Sequence, residues 1–174
     1  MRIRCQRGIP VALFISLAAI SGCGQGRSAA ENYRLGHYRE ALTQYEAQAA
    51  EGDAASANQI GVLYFVGLGV QSDHAQAFEW FEQAALAGHA EAQRNVGLMY
   101  LNGYGVPQDL NQAFGWLDLA RQSGSDQVTP LLNLLPYKMT PNQMMGARKR
   151  LAEDIYRRTG RSLHKVVGSE LEGL

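Results

Sequence analysis

Cysteine is nearly absent from this chain: its 174 residues include two, Cys5 and Cys23, both close to the N-terminus. No disulfide framework can brace the rest of the chain. The common chemical motifs are missing too. His37, His74, His89 and His164 show no i, i+4 pairing and no cysteine beside them, the spacings that zinc sites use. There is no G-x-x-x-x-G-K phosphate loop and no G-x-S-x-G nucleophile elbow. The apolar run from Ile9 to Ile20 is about a dozen residues, too short to cross a bilayer as a helix. These absences point away from a metal centre, a nucleotide site or a serine hydrolase. Neither catalysis nor a cofactor is expected.

What the chain does have is one pattern written twice. Residues 52–87 and 88–123 align without a gap at an offset of 36, with 13 of 36 positions identical. The identities include Gly61/Gly97, Tyr64/Tyr100, Gly67/Gly103, Gly69/Gly105, Val70/Val106, Asp73/Asp109, Ala77/Ala113, Trp80/Trp116 and Ala84/Ala120. A period between 20 and 50 residues marks a stack of repeated units, and it outranks any local reading.

Each unit reads as a helix hairpin. Ser56, Ile60, Leu63, Tyr64 and Gly67 fall at helical spacing on one face. Gly67 ends that helix, because glycine accepts the left-handed conformation just past a helix C-terminus. Asp73, or Ser72 before it, is placed to cap the second helix, which carries Ala77, Trp80, Phe81 and Ala84 inward and ends at Gly88. Small residues at Gly61, Ala77 and Ala84 allow close backbone approach. A hairpin of this size cannot bury its own apolar face, so it must stack on neighbours.

The motif A-x-x-x-L-G-x-x-Y-x-x-G, a G-x-G-V turn and D-x-x-x-A-x-x-W-x-x-x-A resembles the Sel-one-like repeat family, a bacterial-rich relative of the tetratricopeptide repeats. The second unit carries it as Ala92, Val96, Gly97, Tyr100, Gly103, Gly105, Val106, Asp109, Ala113, Trp116 and Ala120; the first departs at Ser56 and Ile60. The resemblance implies an all-α fold: a right-handed α-solenoid of stacked hairpins, with two full repeats and degenerate caps at both ends. It also implies an adaptor or scaffold without a fixed chemistry. Some disulfide-rich relatives have been linked to β-lactam binding, but the cysteine pairs that define them are missing here.

The N-terminus has the look of an export signal. Arg2, Arg4 and Arg7 precede the apolar run, and the segment ends Ile20-Ser21-Gly22-Cys23, which resembles the lipobox of bacterial lipoproteins. The resemblance implies cleavage before Cys23, acylation of its thiol and anchoring in a membrane. Gly24 stands where an aspartate would favour inner-membrane retention, so outer-membrane sorting, facing the periplasm, is the expectation. Ordinary secretion with cleavage near Gly22 is the alternative. Residues 24–31 then read as a flexible tether, 32–51 as an N-terminal cap, 125–160 as a C-terminal cap and 161–174 as a loose tail. Within the C-terminal cap, Thr140-Pro141-Asn142-Gln143 is a strong helix start.

Charge is segregated along the chain. Residues 24–129 hold five basic and twelve acidic side chains, whereas 130–174 hold eight basic and four acidic. With the signal's three arginines removed, the remainder is acidic overall, so nucleic acid is not expected as a partner. The basic set at 148–165 offers a surface for a partner or an anionic lipid, or simply a solvated helix face. A binding edge is expected on the first helices, where Val62/Leu98 and Phe65/Leu101 form a second apolar row beside Arg94, Asn95, Asn102 and Tyr104. The alternative is that this row packs against the neighbouring repeat. The combined reading is a lipid-anchored scaffold of the bacterial envelope that binds proteins, within exopolysaccharide, secretion or cell-wall machinery. Direct binding of peptidoglycan or polysaccharide is the first rival. A hydrolase using Glu91 and Asp53 is the second, although both look like first-turn helix acids.

Overall fold

The structure, a computed structural model, describes residues 26–161. Eight α-helices and no strand occur among the described residues: α1 Ala29–Arg34, α2 Tyr38–Ala50, α3 Ala54–Val66, α4 His74–Leu86, α5 Ala90–Asn102, α6 Leu110–Gln122, α7 Thr129–Leu134 and α8 Pro141–Thr159. None is long and apolar enough to cross a membrane. The signal segment 1–23, with Cys23, and the tail beyond Arg161 lie outside the described residues. Helix α1 starts inside the stretch expected as tether, because Ser28 caps it by accepting from the Glu31 N–H at 3.2 Å. Residues 29–31 therefore belong to the fold.

The two duplicated units are the pairs α3/α4 and α5/α6, and their identical residues do identical work. Gly67 and Gly103 close the first helix of each pair in the left-handed conformation, at φ 82° and 74°. Asp73 and Asp109, rather than Ser72, cap the second helices, each accepting two backbone N–H bonds at 2.8–3.1 Å. Gly61 and Gly97 admit a side chain of the partner helix: a Cβ there would stand 2.6 Å from the Phe81 ring and 2.7 Å from Leu117. The core follows from this packing. Ile60, Leu63, Ala77 and Ala84 of the first pair, and Val96, Met99, Trp116 and Ala120 of the second, are buried. Tyr64, Trp80 and Tyr100 are partly buried against the same cluster. Ser56, one of the two departures from the family pattern, is also buried, and its hydroxyl donates to Gln48 Oε1 of α2 at 2.7 Å. The change is mild because the buried hydroxyl is satisfied.

The second glycine of each turn sets the spacing between units. Gly69 (φ 74°) sits on Tyr38 and Arg39, the first residues of α2; Gly105 (φ 70°) sits on His74 and Ala75, the first residues of α4. Those two seats are themselves 36 residues apart. At Gly105 an added Cβ would overlap the His74 carbonyl. Each unit thus docks its turn, backbone against backbone, on the start of the preceding second helix. The result is an α-solenoid.

The C-terminal cap ends the stack differently. After the second unit comes the short α7, flanked by 3₁₀ turns at Asp126–Val128 and Leu135–Tyr137. Helix α8 has the full capping box at Thr140/Gln143 and buries Ala147, Leu151 and Ile155. It packs on α6, where its Arg148 lies over the Phe114 ring at 5.4 Å, as Tyr100 of α5 meets Phe78 of α4 at 5.3 Å. Phe78 and Phe114 are repeat equivalents, so α8 occupies the place of a third first-helix. Two arginines clamp it. Arg148 binds Asp118 through two hydrogen bonds (2.8 and 3.1 Å), and Arg158 binds Glu82 through two more (2.7 and 2.6 Å). Glu82 and Asp118 are again one period apart.

Asp118 is 2% exposed. Burial alone would raise its pKa, but hydrogen bonds from Arg148, Arg121 and Gln122 hold it below the ordinary carboxylate value. A depressed folded-state pKa stabilises the fold above the unfolded value and loses that contribution as pH falls through the folded value.

Two predictions follow from these contacts. Gly105→Ala should destabilise the fold by about 3 kcal/mol or more, from steric overlap added to positive-φ strain. Gly88→Ala, at φ 99° with nothing within 4 Å, should cost only about 1–2 kcal/mol; urea melts of the two compare them, and equal costs would refute the docking role. Asp118→Ala should cost about 1–2 kcal/mol at neutral pH, because it removes the charge-assisted hydrogen bonds that tie α8 to α6 while Arg148 and Arg121 stay partly open to water. The margin of the wild type over this variant should shrink as pH drops below about 4. A margin independent of pH would show that the ionised pair does not matter.

Candidate functional site

Between α3 and α5 the stack leaves a groove of about 200 Å³, lined by Val62, Phe65, Phe81, Asn95, Leu98, Met99, Asn102 and Tyr104. The docking of Gly105 creates it. Tyr104 lies between the two turn glycines, so seating the turn on His74 brings the Tyr104 ring to 5.4 Å from the His74 ring and 5.7 Å from Phe65. Phe65 and His74 stack at 4.7 Å, closing an aromatic trio from three segments. Buried Phe81 and Met99 form the floor, and Tyr104 stays 44% exposed at the rim.

The polar rim comes from α5. Asn95 donates to Asn58 Oδ1 at 3.0 Å, tying α5 to α3, and Asn102 donates to the Leu98 carbonyl at 2.9 Å. Each amide donates one N–H to the protein, and neither side-chain oxygen accepts from a protein donor among the described residues. Acceptors at i and i+7 on one helix lie about 10 Å apart. An apolar trough with two fixed acceptors along its edge suits a chain that carries hydrophobic groups and backbone or side-chain donors.

Of the eight residues expected along the binding edge, Val62, Phe65, Asn95, Leu98, Asn102 and Tyr104 meet in this groove. The other two do not. Arg94 turns away toward the C-terminal cap and donates to Gln127 Oε1 at 2.9 Å. Leu101 is partly buried against the second core cluster, which contains Phe114, Leu117 and Leu135. Leu101 packs within its own hairpin as well as against the C-terminal cap, and Arg94 reaches only the cap, so neither lines the groove. His74 was missed because its ring stacks on Phe65 within one hairpin and meets Tyr104 only through the docking of the next unit. Asp53 and Glu91 do not line the groove: Asp53 caps α3, and Glu91 lies in the first turn of α5. No cluster of three or more His, Cys, Asp or Glu positioned for a metal ion occurs among the described residues.

Comparison with known proteins fits this architecture. Residues 54–89 and 90–125 each match the Sel1 repeat model, the same 36-residue period set two residues later than the boundaries read from the sequence. Among solved structures, a protective antigen of uropathogenic Escherichia coli displaying an SLR fold superposes with a TM-score of 0.66 at 28% identity, over 74% of this chain and 28% of that one. A Sel1 repeat protein from Oxalobacter formigenes superposes with a TM-score of 0.61 at 28% identity, over 76% of this chain and 58% of that one. The chain thus spans under two thirds of either neighbour. No curated protein sequence matches it. Period, turn glycines, helix pairing and structural neighbours agree, and the two central hairpins of this chain are Sel1 repeats stacked as a solenoid.

Proposed function

We propose that this protein is a lipid-anchored adaptor of the bacterial envelope, tethered through Cys23, that captures another protein in the groove between α3 and α5. The observation that carries the reading is the groove itself. Its residues are the ones that differ between the two repeats: Tyr104 stands opposite Leu68, Asn102 opposite Val66 and Asn95 opposite Gln59. Positions shared by the repeats build the scaffold, whereas these differences give the groove its own chemistry. An extended peptide segment with apolar side chains fits the trough, its donors facing Asn95 and Asn102. The anchor rests on the sequence around Cys23, where a thiol follows small residues at the end of a short apolar run. A place within exopolysaccharide, secretion or cell-wall machinery suits a scaffold held at a membrane, and the outer membrane is the site we favour.

In-cell crosslinking of the tagged protein tests both parts. Tyr104→Ala combined with Asn102→Ala should abolish recovery of the partner while costing no more than about 1 kcal/mol of stability, as exposed positions usually do. Cys23→Ala should release the protein from the membrane fraction and deplete the partner. If the Tyr104/Asn102 form still recovers its partner, the groove is not the binding site. If no protein is recovered but purified cell wall retains the protein, glycan binding replaces the adaptor reading.

A further inference from the structure

We infer that the tip of the solenoid, the turn between α1 and α2, rests on anionic phospholipid headgroups and holds the repeat stack end-on to the membrane. The inference depends on the lipid anchor at Cys23. The first observation is how early the chain is fastened. The Arg27 carbonyl accepts from Gln44 Nε2 of α2 at 3.0 Å and from Asn32 Nδ2 of α1 at 3.5 Å, and Ser28 then caps α1. Three residues separate Cys23 from Arg27, and the four Cα–Cα steps reach about 14 Å at full extension. A lipid on Cys23 therefore holds this end of the fold against the headgroup layer rather than on a long leash.

The second observation is the charge found there. Arg27, Arg34 and Arg39 are all exposed and gather around the turn. The Arg27 guanidinium lies 3.5 Å from His37 Nδ1, Arg34 is in the last turn of α1, and Arg39 is in the first turn of α2. Leu35, at the turn, is 53% exposed. The carboxylates of these two first turns are Glu31 and Glu40, and the Gly67–Ser72 turn seated on Tyr38 and Arg39 carries no charge. Beyond Arg39 no lysine or arginine occurs until Arg94, while residues 40–93 hold eight carboxylates. An anionic surface attracts the tip, by about fivefold in partitioning for each arginine near it, and repels the stretch behind. The anchored tip and the acidic stretch behind it set the orientation against the pull of the basic set on α8, where Arg148 and Arg158 are already paired with Asp118 and Glu82.

The test uses the lipidated full-length protein floated on vesicles of phosphatidylethanolamine with phosphatidylglycerol. With Cys5 cleaved away and the Cys23 thiol acylated, an introduced cysteine is the one free thiol. A fluorophore is placed at Leu35→Cys, at His37→Cys as a second tip position, or at Lys149→Cys on exposed α8. Nitroxide-headgroup lipid should quench the two tip labels and leave the Lys149→Cys label bright. That quenching should be lost on phosphatidylcholine vesicles and in the Arg34→Glu/Arg39→Glu variant. Quenching at Lys149→Cys, equal quenching everywhere, or tip quenching indifferent to lipid charge overturns the inference while leaving the anchor intact. A protein that does not float with the vesicles overturns the anchor reading, and the tip with it.

Discussion

The rest of the structure depends on the contact between a glycine of each turn and the start of the preceding second helix. Gly69 on Tyr38 and Arg39, and Gly105 on His74 and Ala75, bring backbone against backbone where no Cβ fits. Contacts between flexible side chains would tolerate sliding, but a backbone seat does not. The preceding glycine, in the left-handed conformation, aims the turn at that seat. Two glycines two residues apart therefore set both the direction of the turn and the spacing of the stack. The groove is a consequence, because the residue between the second pair of glycines is Tyr104, and seating the turn lays its ring beside Phe65 and His74.

A stack built this way has to be stopped, since each unit leaves an apolar face for the next. The C-terminal end is stopped by a helix that takes the next unit's place without its sequence. Helix α8 brings arginines to the equivalent acids Glu82 and Asp118, two repeats clamped by one helix. Arg148 also stands over Phe114 where the ordinary partner is a tyrosine. Directional, bidentate ion pairs give α8 a fixed register that three buried apolar side chains alone would specify weakly. The N-terminal end is closed by small means: Ala29 and Asn32 of the six-residue α1 are buried, and two amide side chains hold the Arg27 carbonyl.

The repeats also explain how the groove acquires a lining of its own. Equivalent positions that stay the same, such as Gly61/Gly97 and Ala77/Ala113, are constrained by helix contacts and are not free to acquire chemistry. Positions 59/95, 66/102 and 68/104 differ between units. In the second unit they carry Asn95, Asn102 and Tyr104, and these line the groove.

The sequence by itself determined the two hairpins, their glycine stops, the aspartate caps and the capping box of α8. All of these are local, resting on hydrogen bonds within four residues or on helical spacing, and the 36-residue period states them twice. The tertiary structure alone decided the rest. Nothing in the local pattern shows that Gly105 meets His74, that Arg94 leans toward Gln127, or that Leu101 belongs to the terminal cap, because each depends on residues about 30 positions away. Position 118 reads as one more helical acid until Arg148 arrives from α8. A repeat announces itself through periodicity, but its ends and the surface between units are set by contacts that do not recur, and a period cannot record those.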